Sequence, residues 1–143
     1  MKADCVFCKL VAGQIPSSKV YEDEAALAFM DLGQVNPGHV LVASKAHAEN
    51  VYELDDAQAA AVFRAAARVA RAVRAAFDPP GLSIYQANGK PAGQTVFHFH
   101  LHVLPRHDGD GMQLVWPVKN PPREQLEDYA ARIRASLQAF HGE

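Results

Sequence analysis

The stretch VFHFHLHVL, residues 96–104, alternates large apolar residues with histidines. Strict alternation of this kind is typical of a β-strand that buries one face. Because successive side chains of a strand point to opposite faces, His98, His100 and His102 are predicted to share one face, each about 7 Å from the next. The other face is predicted to pack into the core through four apolar residues: Phe97, Phe99, Leu101 and Val103.

Four further strands are predicted from short apolar runs that end at turn residues. They are residues 19–22, 26–29, 39–43 and 82–88. The acidic residues Glu22, Asp23 and Glu24 lie at the junction of the first two strands, an arrangement typical of a hairpin. Asn36-Pro37-Gly38 forms a turn before the third strand. With residues 96–104, these segments indicate an antiparallel sheet of about five strands.

Apolar residues at helical spacing predict one long central helix and one C-terminal helix. The central helix is expected from Asp55 or Asp56, either of which can cap it, to about Phe77, where two prolines and a glycine follow. The C-terminal helix is expected over residues 122–141, and a short helix over residues 8–12. The predicted fold class is therefore α+β, in a single domain over residues 1–143. The apolar side of the central helix is predicted to consist of Val62, Phe63, Val69 and Val73.

Composition excludes several classes of protein. The chain has 143 residues, of which 49% are hydrophobic and 21% charged, so it can bury a packed core. A net charge of −2 argues against general nucleic-acid binding, which requires a basic surface. No apolar run approaches the roughly 20 residues of a membrane span, and no signal peptide is recognisable, so a cytoplasmic location is expected. In that compartment Cys5 and Cys8 are expected to be reduced and to act as ligands.

Three histidines on one strand face suggest a ligand, which by residue chemistry alone is a metal ion or a phosphate group. Zinc needs nitrogen ligands about 2 Å away, so three histidines spaced about 7 Å apart do not easily converge on one ion. A phosphate group fits this spacing better, because one imidazole can attack phosphorus while another donates to an oxygen. The loop NGKPAGQT, residues 88–95, can add further donors to phosphate oxygens. A catalytic zinc hydrolase that uses the triad as ligands remains the alternative.

Three stretches together resemble the histidine triad (HIT) superfamily. The first is HFHLHVL, residues 98–104, preceded by GQTV and followed by PR. The others are AFMDLGQVNPGHVLVASKAH at residues 28–47 and CVFCKLVAGQIPSSKVYEDE at residues 5–24, which resembles the bacterial Hint-like branch. The resemblance implies a HIT-like fold and a nucleotide-binding hydrolase or transferase that acts through a covalent nucleotidyl-histidine intermediate.

The resemblance also implies a role for individual residues. His100, the middle histidine of the triad, would be the nucleophile, and His102 would contact the phosphate or the leaving group. His98, the first histidine of the triad, would also belong to the catalytic set. His39 would orient the nucleophile, and Asp31 would bind the ribose hydroxyls, although by residue type alone Asp31 is as readily an acid at a turn. The base pocket would comprise Phe29 and Leu32, which otherwise suit core packing, and the phosphate site Asn88, Gln94 and Thr95.

The implied substrate is a small purine nucleotide conjugate of the AMP type, cleaved at a phosphoramidate or a related bond. Two alternatives stay open: a dinucleoside polyphosphate substrate, as in the fragile-histidine-triad branch, and a non-enzymatic module that only binds nucleotides. No organic cofactor is expected. The family also implies a homodimer, in which the sheets of two protomers join.

The CxxC formed by Cys5 and Cys8 indicates zinc, a redox pair or chance, and no thioredoxin-like context supports the redox interpretation. Zinc would need two further ligands, and resemblance to bacterial relatives implies that these are His47 and His98. Two thiolates and two imidazoles would form a closed tetrahedral site of the structural type. The alternative is a pair of buried, reduced cysteines beside a surface His47.

Overall fold

The computed structural model describes residues 1–141, so the last two residues of the predicted domain lie outside the described part of the chain. Its strands are β1 (Lys19–Glu22), β2 (Ala26–Met30), β3 (Val40–Ser44), β4 (Gly81–Tyr85) and β5 (His100–Arg106). They form one five-stranded sheet in the order β1-β2-β3-β5-β4, and every neighbouring pair is antiparallel. The predicted α+β fold with an antiparallel sheet is confirmed.

The described residues also form three α-helices: α1 (Val6–Val11), α2 (Asp56–Phe77) and α3 (Arg123–His141). The N-terminus of α2 is fixed by a capping box, in which Asp55 and Gln58 each accept the other's backbone N–H through a side-chain oxygen. Such a box satisfies donors that the first helical turn leaves free. The chain divides into two compact units, Met1–Gly111 with the sheet, α1 and α2, and a second unit from Met112 that contains α3. No helix among the described residues is long and apolar enough to cross a bilayer.

One face of the sheet packs against α2 and forms the main core with residues of β2, β3 and β5. Phe63, predicted on the apolar side of this helix, is instead 55% exposed. It lies one residue, about 100°, around the helix from Val62, and so points away from the sheet. The buried side of α2 consists of Val62, Ala65, Ala66, Val69 and Val73.

The opposite face of the sheet carries a second, smaller core. His100 of β5 lies opposite Ala43 of β3, and His102 lies opposite Leu41, so both rings project from this face. A short helix, α1, contributes to the same core, whose members are Phe7, Leu27, Phe29, Leu41 and Ala43. The two histidines therefore stand beside an apolar wall, on the face that α2 leaves uncovered.

The histidine strand begins later than predicted. β5 starts at His100, and residues 96–98 form a bend. The Phe99 N–H donates at 2.7 Å to the carbonyl of Ala48, which lies beyond the end of β3, so the strand ladder does not extend further back. Phe97, predicted to face the core, is 38% exposed, whereas Phe99 is buried as predicted. His98 therefore lies off the strand, and the prediction that three histidines share one strand face is wrong.

Two other elements differ from prediction by two residues or more at one end. Helix α1 begins at Val6 instead of residue 8, because Sγ of Cys5 caps it by accepting the Cys8 N–H at 3.4 Å. Strand β4 ends at Tyr85 instead of residue 88, and the chain then turns so that the Asn88 side chain accepts the Val51 N–H at 2.8 Å. These side-chain hydrogen bonds to the backbone set the ends of both elements.

Candidate functional site

A cavity of about 300 Å³ opens on the face of the sheet opposite α2. Its walls come from α1, from the end of β2 and the residues after it, from β5, and from the segment that precedes β5. Apolar side chains dominate one side, and polar groups come from β5 and from the residue that follows β2. The lining includes Phe7, Phe29, Asp31, Thr95, His100 and His102.

His100 is held in one tautomer. Its Nδ1 lies 2.6 Å from the backbone carbonyl oxygen of His98, so the ring donates its Nδ1 proton there. The Nε2 atom then carries a lone pair, and no other hydrogen bond occupies it among the described residues. Burial lowers the pKa of His100, and the ring is neutral at neutral pH. A neutral imidazole with a fixed tautomer and a free nitrogen is a competent nucleophile.

His102 and His39 form a hydrogen-bonded pair. His39 Nε2 lies 2.9 Å from His102 Nδ1, so two neutral rings share one proton between these atoms. Burial, together with the neighbouring His100 and His39, lowers the pKa of His102 to about 4. Burial also lowers the pKa of His39, and the Asp31 carboxylate opposes that shift. Both rings of the pair are therefore neutral at neutral pH in the free protein.

His39 lies against a different histidine from the one that the family resemblance implied. The resemblance assigned it to orienting the nucleophile His100, but its ring contacts His102, while a backbone carbonyl orients His100. The reason is register: β3 begins beside His39, opposite the part of β5 that follows His102. His39 therefore acts on His102.

Asp31 is an acid at a turn, as one of the two interpretations of its sequence position predicted, and it also borders the cavity. Its Oδ1 accepts the Gly33 N–H at 2.9 Å, which closes a turn after β2. Its Oδ2 lies 3.4 Å from His39 Nε2 and 3.9 Å from His102 Nδ1, at the edge of the cavity. The carboxylate therefore supports positive charge on the histidine pair. The ligand atoms of these three residues also lie within 4.8 Å of one another, close enough to hold a cation.

His98 belongs to a separate cluster with Cys5, Cys8 and His47. Its ring is fully buried, and Nε2 donates to the Ser44 carbonyl at 2.6 Å. The Nδ1 lone pair therefore points at Sγ of Cys5 and Cys8, at 3.3 and 3.6 Å. His47 completes the group, with Nδ1 3.4 Å from Sγ of Cys8 and 3.2 Å from Nδ1 of His98.

The geometry of this cluster fits a zinc ion. Zinc bonds of about 2.3 Å to sulfur and about 2.0–2.1 Å to nitrogen place tetrahedral ligand atoms about 3.3–3.8 Å apart. The sulfur–nitrogen and nitrogen–nitrogen distances here run from 3.2 to 3.6 Å. A carbonyl that fixes the tautomer of a ligating histidine, as Ser44 does for His98, is the usual outer partner of a metal site. The four predicted ligands are therefore together and suited to zinc.

Of the predicted phosphate-binding residues, only Thr95 lines the cavity. Gln94 is buried, and its side chain accepts the Gly89 N–H at 2.7 Å and donates to the Glu49 carbonyl at 2.6 Å. Asn88 bonds to Gln86 and to the backbone of residue 51. Both amides therefore hold the loop in shape, and of the three residues only Thr95 borders the cavity.

The predicted base-pocket residues both line the cavity, and α1 adds residues that sequence reasoning missed. Phe29 is buried in the cavity wall, whereas Leu32 is fully exposed at its edge. From α1 come Val6, Phe7 and Leu10, with spacing that fits one helix face. That spacing marks an apolar face, but nothing local to α1 indicates that it packs beside the histidines.

Comparison with known proteins identifies relatives along nearly the whole chain. The sequence pattern of the HIT domain family matches residues 12–109. The protein named Protein hit from Bacillus subtilis is 54% identical over 137 residues, which cover 94% of this chain and 94% of that protein. The adenosine 5'-monophosphoramidase hnt1 of Schizosaccharomyces pombe is 32% identical, and the match covers 93% of this chain and 98% of that protein.

Solved structures agree with the described fold. A HIT-family protein from Bacillus subtilis has a TM-score of 0.88 at 47% identity, covering 92% of this chain and 96% of that one. A zinc-bound histidine triad family protein from Mycobacterium smegmatis has a TM-score of 0.72 at 35% identity, covering 93% of this chain and 97% of that one.

Proposed function

The chain belongs to the HIT domain family, and on this premise we propose that it is a nucleoside phosphoramidase. It would release a purine nucleoside monophosphate of the AMP type from a phosphoramidate or a related conjugate. The observation that carries the proposal is His100, whose Nδ1–H is held by a carbonyl while Nε2 is free at the cavity. The similarity to an adenosine 5'-monophosphoramidase favours a phosphoramidate over other conjugates.

The reaction runs in two displacements at phosphorus. In the first, the Nε2 lone pair of His100 forms a bond to phosphorus as the bond from phosphorus to the leaving nitrogen breaks. The carbonyl of His98, which accepts the Nδ1–H, stabilises the positive charge that the ring acquires. In the second, water attacks phosphorus, the bond to His100 breaks, and the nucleoside monophosphate leaves with the oxygen of the water.

The departing amine needs a proton, and we propose that the pair formed by His102 and His39 supplies it. In the free protein burial keeps this pair neutral. A bound phosphate anion beside His102, together with the Asp31 carboxylate, favours the protonated pair. The pair would therefore take up a proton as substrate binds and pass it to the leaving nitrogen.

Substrate positioning follows from the cavity lining. We propose that Phe29 and Leu32 contact the base, that Asp31 accepts from ribose hydroxyls, and that Thr95 donates to a phosphate oxygen. Asn88 and Gln94 would act indirectly, because their side chains already hold the loop that presents Thr95.

The proposal is tested by trapping the intermediate. Wild-type protein mixed with adenosine 5'-phosphoramidate and quenched in alkaline denaturant should carry one AMP on the peptide that contains His100, detected by mass spectrometry. The variant His100→Asn should form no adduct and lose turnover by ~10⁴-fold or more, while AMP binding measured by calorimetry persists. His107→Asn, an exposed histidine just after β5, is the matched control and should retain activity. Turnover by His100→Asn would refute the mechanism.

The same assay separates the alternatives. If diadenosine polyphosphates are cleaved with a higher kcat/KM than the phosphoramidate, the substrate class is the phosphoric anhydride. If AMP binds but no adduct and no turnover are found with either substrate, the protein is a nucleotide-binding module. If chelation abolishes turnover of a Cys5→Ser, Cys8→Ser variant that stays folded, and added zinc restores it, the hypothesis of a catalytic zinc on the triad gains support, because this variant lacks the thiols of the cluster.

We further propose that Cys5, Cys8, His47 and His98 hold a structural zinc ion. The support is their donor set and their distances from one another, and a zinc-bound relative of the same fold. A zinc ion bound there would supply a cross-link between the N-terminal segment and the sheet. Since all four protein ligands would be used, no position would remain for substrate.

The remaining expectations about assembly and location are proposals too. The outer strand β4 presents Ile84 and Tyr85 at 40% and 38% exposure, and an exposed strand at a sheet edge can pair with a second copy. We propose a homodimer joined through β4, in a protein that works in the cytoplasm. That residues 1–143 form a single domain remains a prediction.

A further inference from the structure

We propose that Phe7 is a positioning residue for His100, and that the cluster of Cys5, Cys8, His47 and His98 determines where the Phe7 ring lies. The inference rests on the proposed function, in which His100 is the nucleophile. Its consequence is that the state of the cysteine–histidine cluster regulates the chemical step, although none of the four cluster residues lines the cavity.

Phe7 contacts the nucleophile directly. Its ring packs edge-to-face on the His100 ring, with centroids 5.0 Å apart and planes at 83°. The same ring packs on Phe29 at 5.2 Å and on His98 at 5.8 Å, and Phe7 is only 6% exposed. The His100 ring makes one hydrogen bond, from Nδ1 to the His98 carbonyl. A single hydrogen bond does not stop the ring from tilting about the line that joins these two atoms, so packing by neighbouring side chains must limit that motion. The Phe7 ring supplies that packing together with the His102 ring, whose centroid lies 5.2 Å from that of His100.

The position of Phe7 depends on the two cysteines beside it in sequence. Helix α1 has six residues, and a helix of that length is not stable by itself in water. Cys5 caps the helix, and Cys8 lies in its first turn, so Phe7 lies between two anchored residues. Both sulfur atoms contact His98, which is 90 or more positions away in the chain. Release of the thiolates would therefore free α1 and the Phe7 ring with it.

His98 adds a second connection between the cluster and the nucleophile. Its ring lies within the cluster and is fully buried, while its carbonyl accepts the Nδ1–H of His100 at 2.6 Å. The two groups that orient the nucleophile, the Phe7 edge and the His98 carbonyl, are thus held by the same cluster. Removing a bound metal ion would disturb both groups at once, and the expected loss is in kcat.

A pair of leucine variants tests the role of Phe7. Phe7→Leu keeps an apolar side chain in the wall but removes the ring edge, and Phe63→Leu, at an exposed position on α2, is the matched control. We expect Phe7→Leu to lower kcat for adenosine 5'-phosphoramidate by about tenfold, with a smaller change in AMP affinity. ¹⁵N chemical shifts of the His100 ring should move toward a mixture of tautomers in Phe7→Leu and stay unchanged in Phe63→Leu. Unchanged shifts and kcat in Phe7→Leu would overturn the proposal.

A double perturbation tests the coupling. Chelation of wild-type protein as purified with its metal, under conditions where circular dichroism shows it folded, should lower kcat and alter the His100 shifts as Phe7→Leu does. Chelation of the Phe7→Leu variant should lower its kcat only slightly further, because two perturbations that act through the same contact are not additive. If chelation unfolds the chain, His47→Gln replaces it, since this substitution leaves both thiols and both orienting groups in place. Fully additive losses would overturn the coupling.

The outcomes also separate this inference from the proposed function. If His100→Asn abolishes turnover while Phe7→Leu behaves like Phe63→Leu, the nucleophile is correctly assigned and the positioning role is wrong. If wild-type protein forms no adduct and has no turnover, the proposed function fails. In that case the histidine shifts still decide whether the cluster holds the His100 ring through Phe7.

Discussion

His98 and His100 are two residues apart, yet their rings lie in different surroundings. His98 donates from Nε2 to the Ser44 carbonyl and presents Nδ1 to two sulfur atoms. His100 donates from Nδ1 and leaves Nε2 for the cavity. The two rings have opposite tautomers because a different nitrogen of each ring donates to a carbonyl oxygen. His98 therefore presents a lone pair at Nδ1 that suits a metal ligand, and His100 presents one at Nε2 that suits a nucleophile.

At the same scale, His102 is expected to make the protein sensitive to acid. Its folded pKa of about 4 lies below the ordinary 6.5, so the unfolded chain binds the proton first as pH falls. The neutral form of His102 makes its whole contribution to the stability of the folded state above pH 6.5. That contribution is lost as the pH falls toward 4. Between these pH values, one extra proton bound by the unfolded chain lowers the free energy of unfolding by ~1.4 kcal/mol for each pH unit of acidification.

Urea unfolding between neutral and acidic pH measures that slope. His102→Gln should reduce it by about one proton relative to wild type. The control His107→Gln, at an exposed position, should keep the wild-type slope. An unchanged slope in His102→Gln would contradict the assignment of the depressed pKa to this residue.

At the scale of elements, the turn between β2 and β3 delivers His39 to the site. Gly38, just before it, has a positive φ of +96°, a backbone conformation that residues with a Cβ rarely adopt. An added Cβ would lie 2.8 Å from a ring carbon of Phe77, at the end of α2. The turn that presents His39 is therefore packed against the last residue of the long helix.

Gly38→Ala is expected to destabilise the fold more than Gly13→Ala. Both glycines have a positive φ, which costs other residues about 1–3 kcal/mol, but nothing lies within 4 Å of the Cβ position at Gly13. The excess loss at Gly38 reports the contact with Phe77. Free energies of unfolding from urea titrations measure both variants, and equal losses would mean that the Phe77 ring simply moves aside.

At the scale of the whole molecule, the sheet has two outer strands, β1 and β4, and either could form an interface with a second copy. Both β1 and β4 carry exposed apolar residues, Val20 at 44% and Ile84 at 40%. β4 pairs with the histidine strand, so an interface on β4 would lie one strand away from the candidate site. The proposed homodimer therefore uses β4.

Sedimentation velocity on two lysine variants tests that interface. A charged side chain on an edge strand opposes pairing with another copy. Ile84→Lys should shift the protein from dimer to monomer, and Val20→Lys, at similar exposure on β1, should remain dimeric. A monomeric wild type, or a dimer that persists in Ile84→Lys, would contradict an interface through β4.

Local pattern in the sequence was sufficient for most of the fold. The alternation of β5, the 3.6-residue period of α2 and the turn residues around β3 predicted an α+β chain with a five-stranded antiparallel sheet, as described. These features could be predicted because each depends on neighbours within a few residues. The same patterns, with the family resemblance, predicted the four cluster ligands and the two histidines at the cavity.

Only the tertiary structure decided how the histidines are divided. The bend that takes His98 off the strand depends on a hydrogen bond from Phe99 to Ala48, and His39 meets His102 across 63 positions of sequence. Phe7 contacts His100 because Cys5 and Cys8, near it in sequence, contact His98, which is 93 and 90 positions away from them. No local period encodes such contacts, because they arise only when packing brings distant segments together.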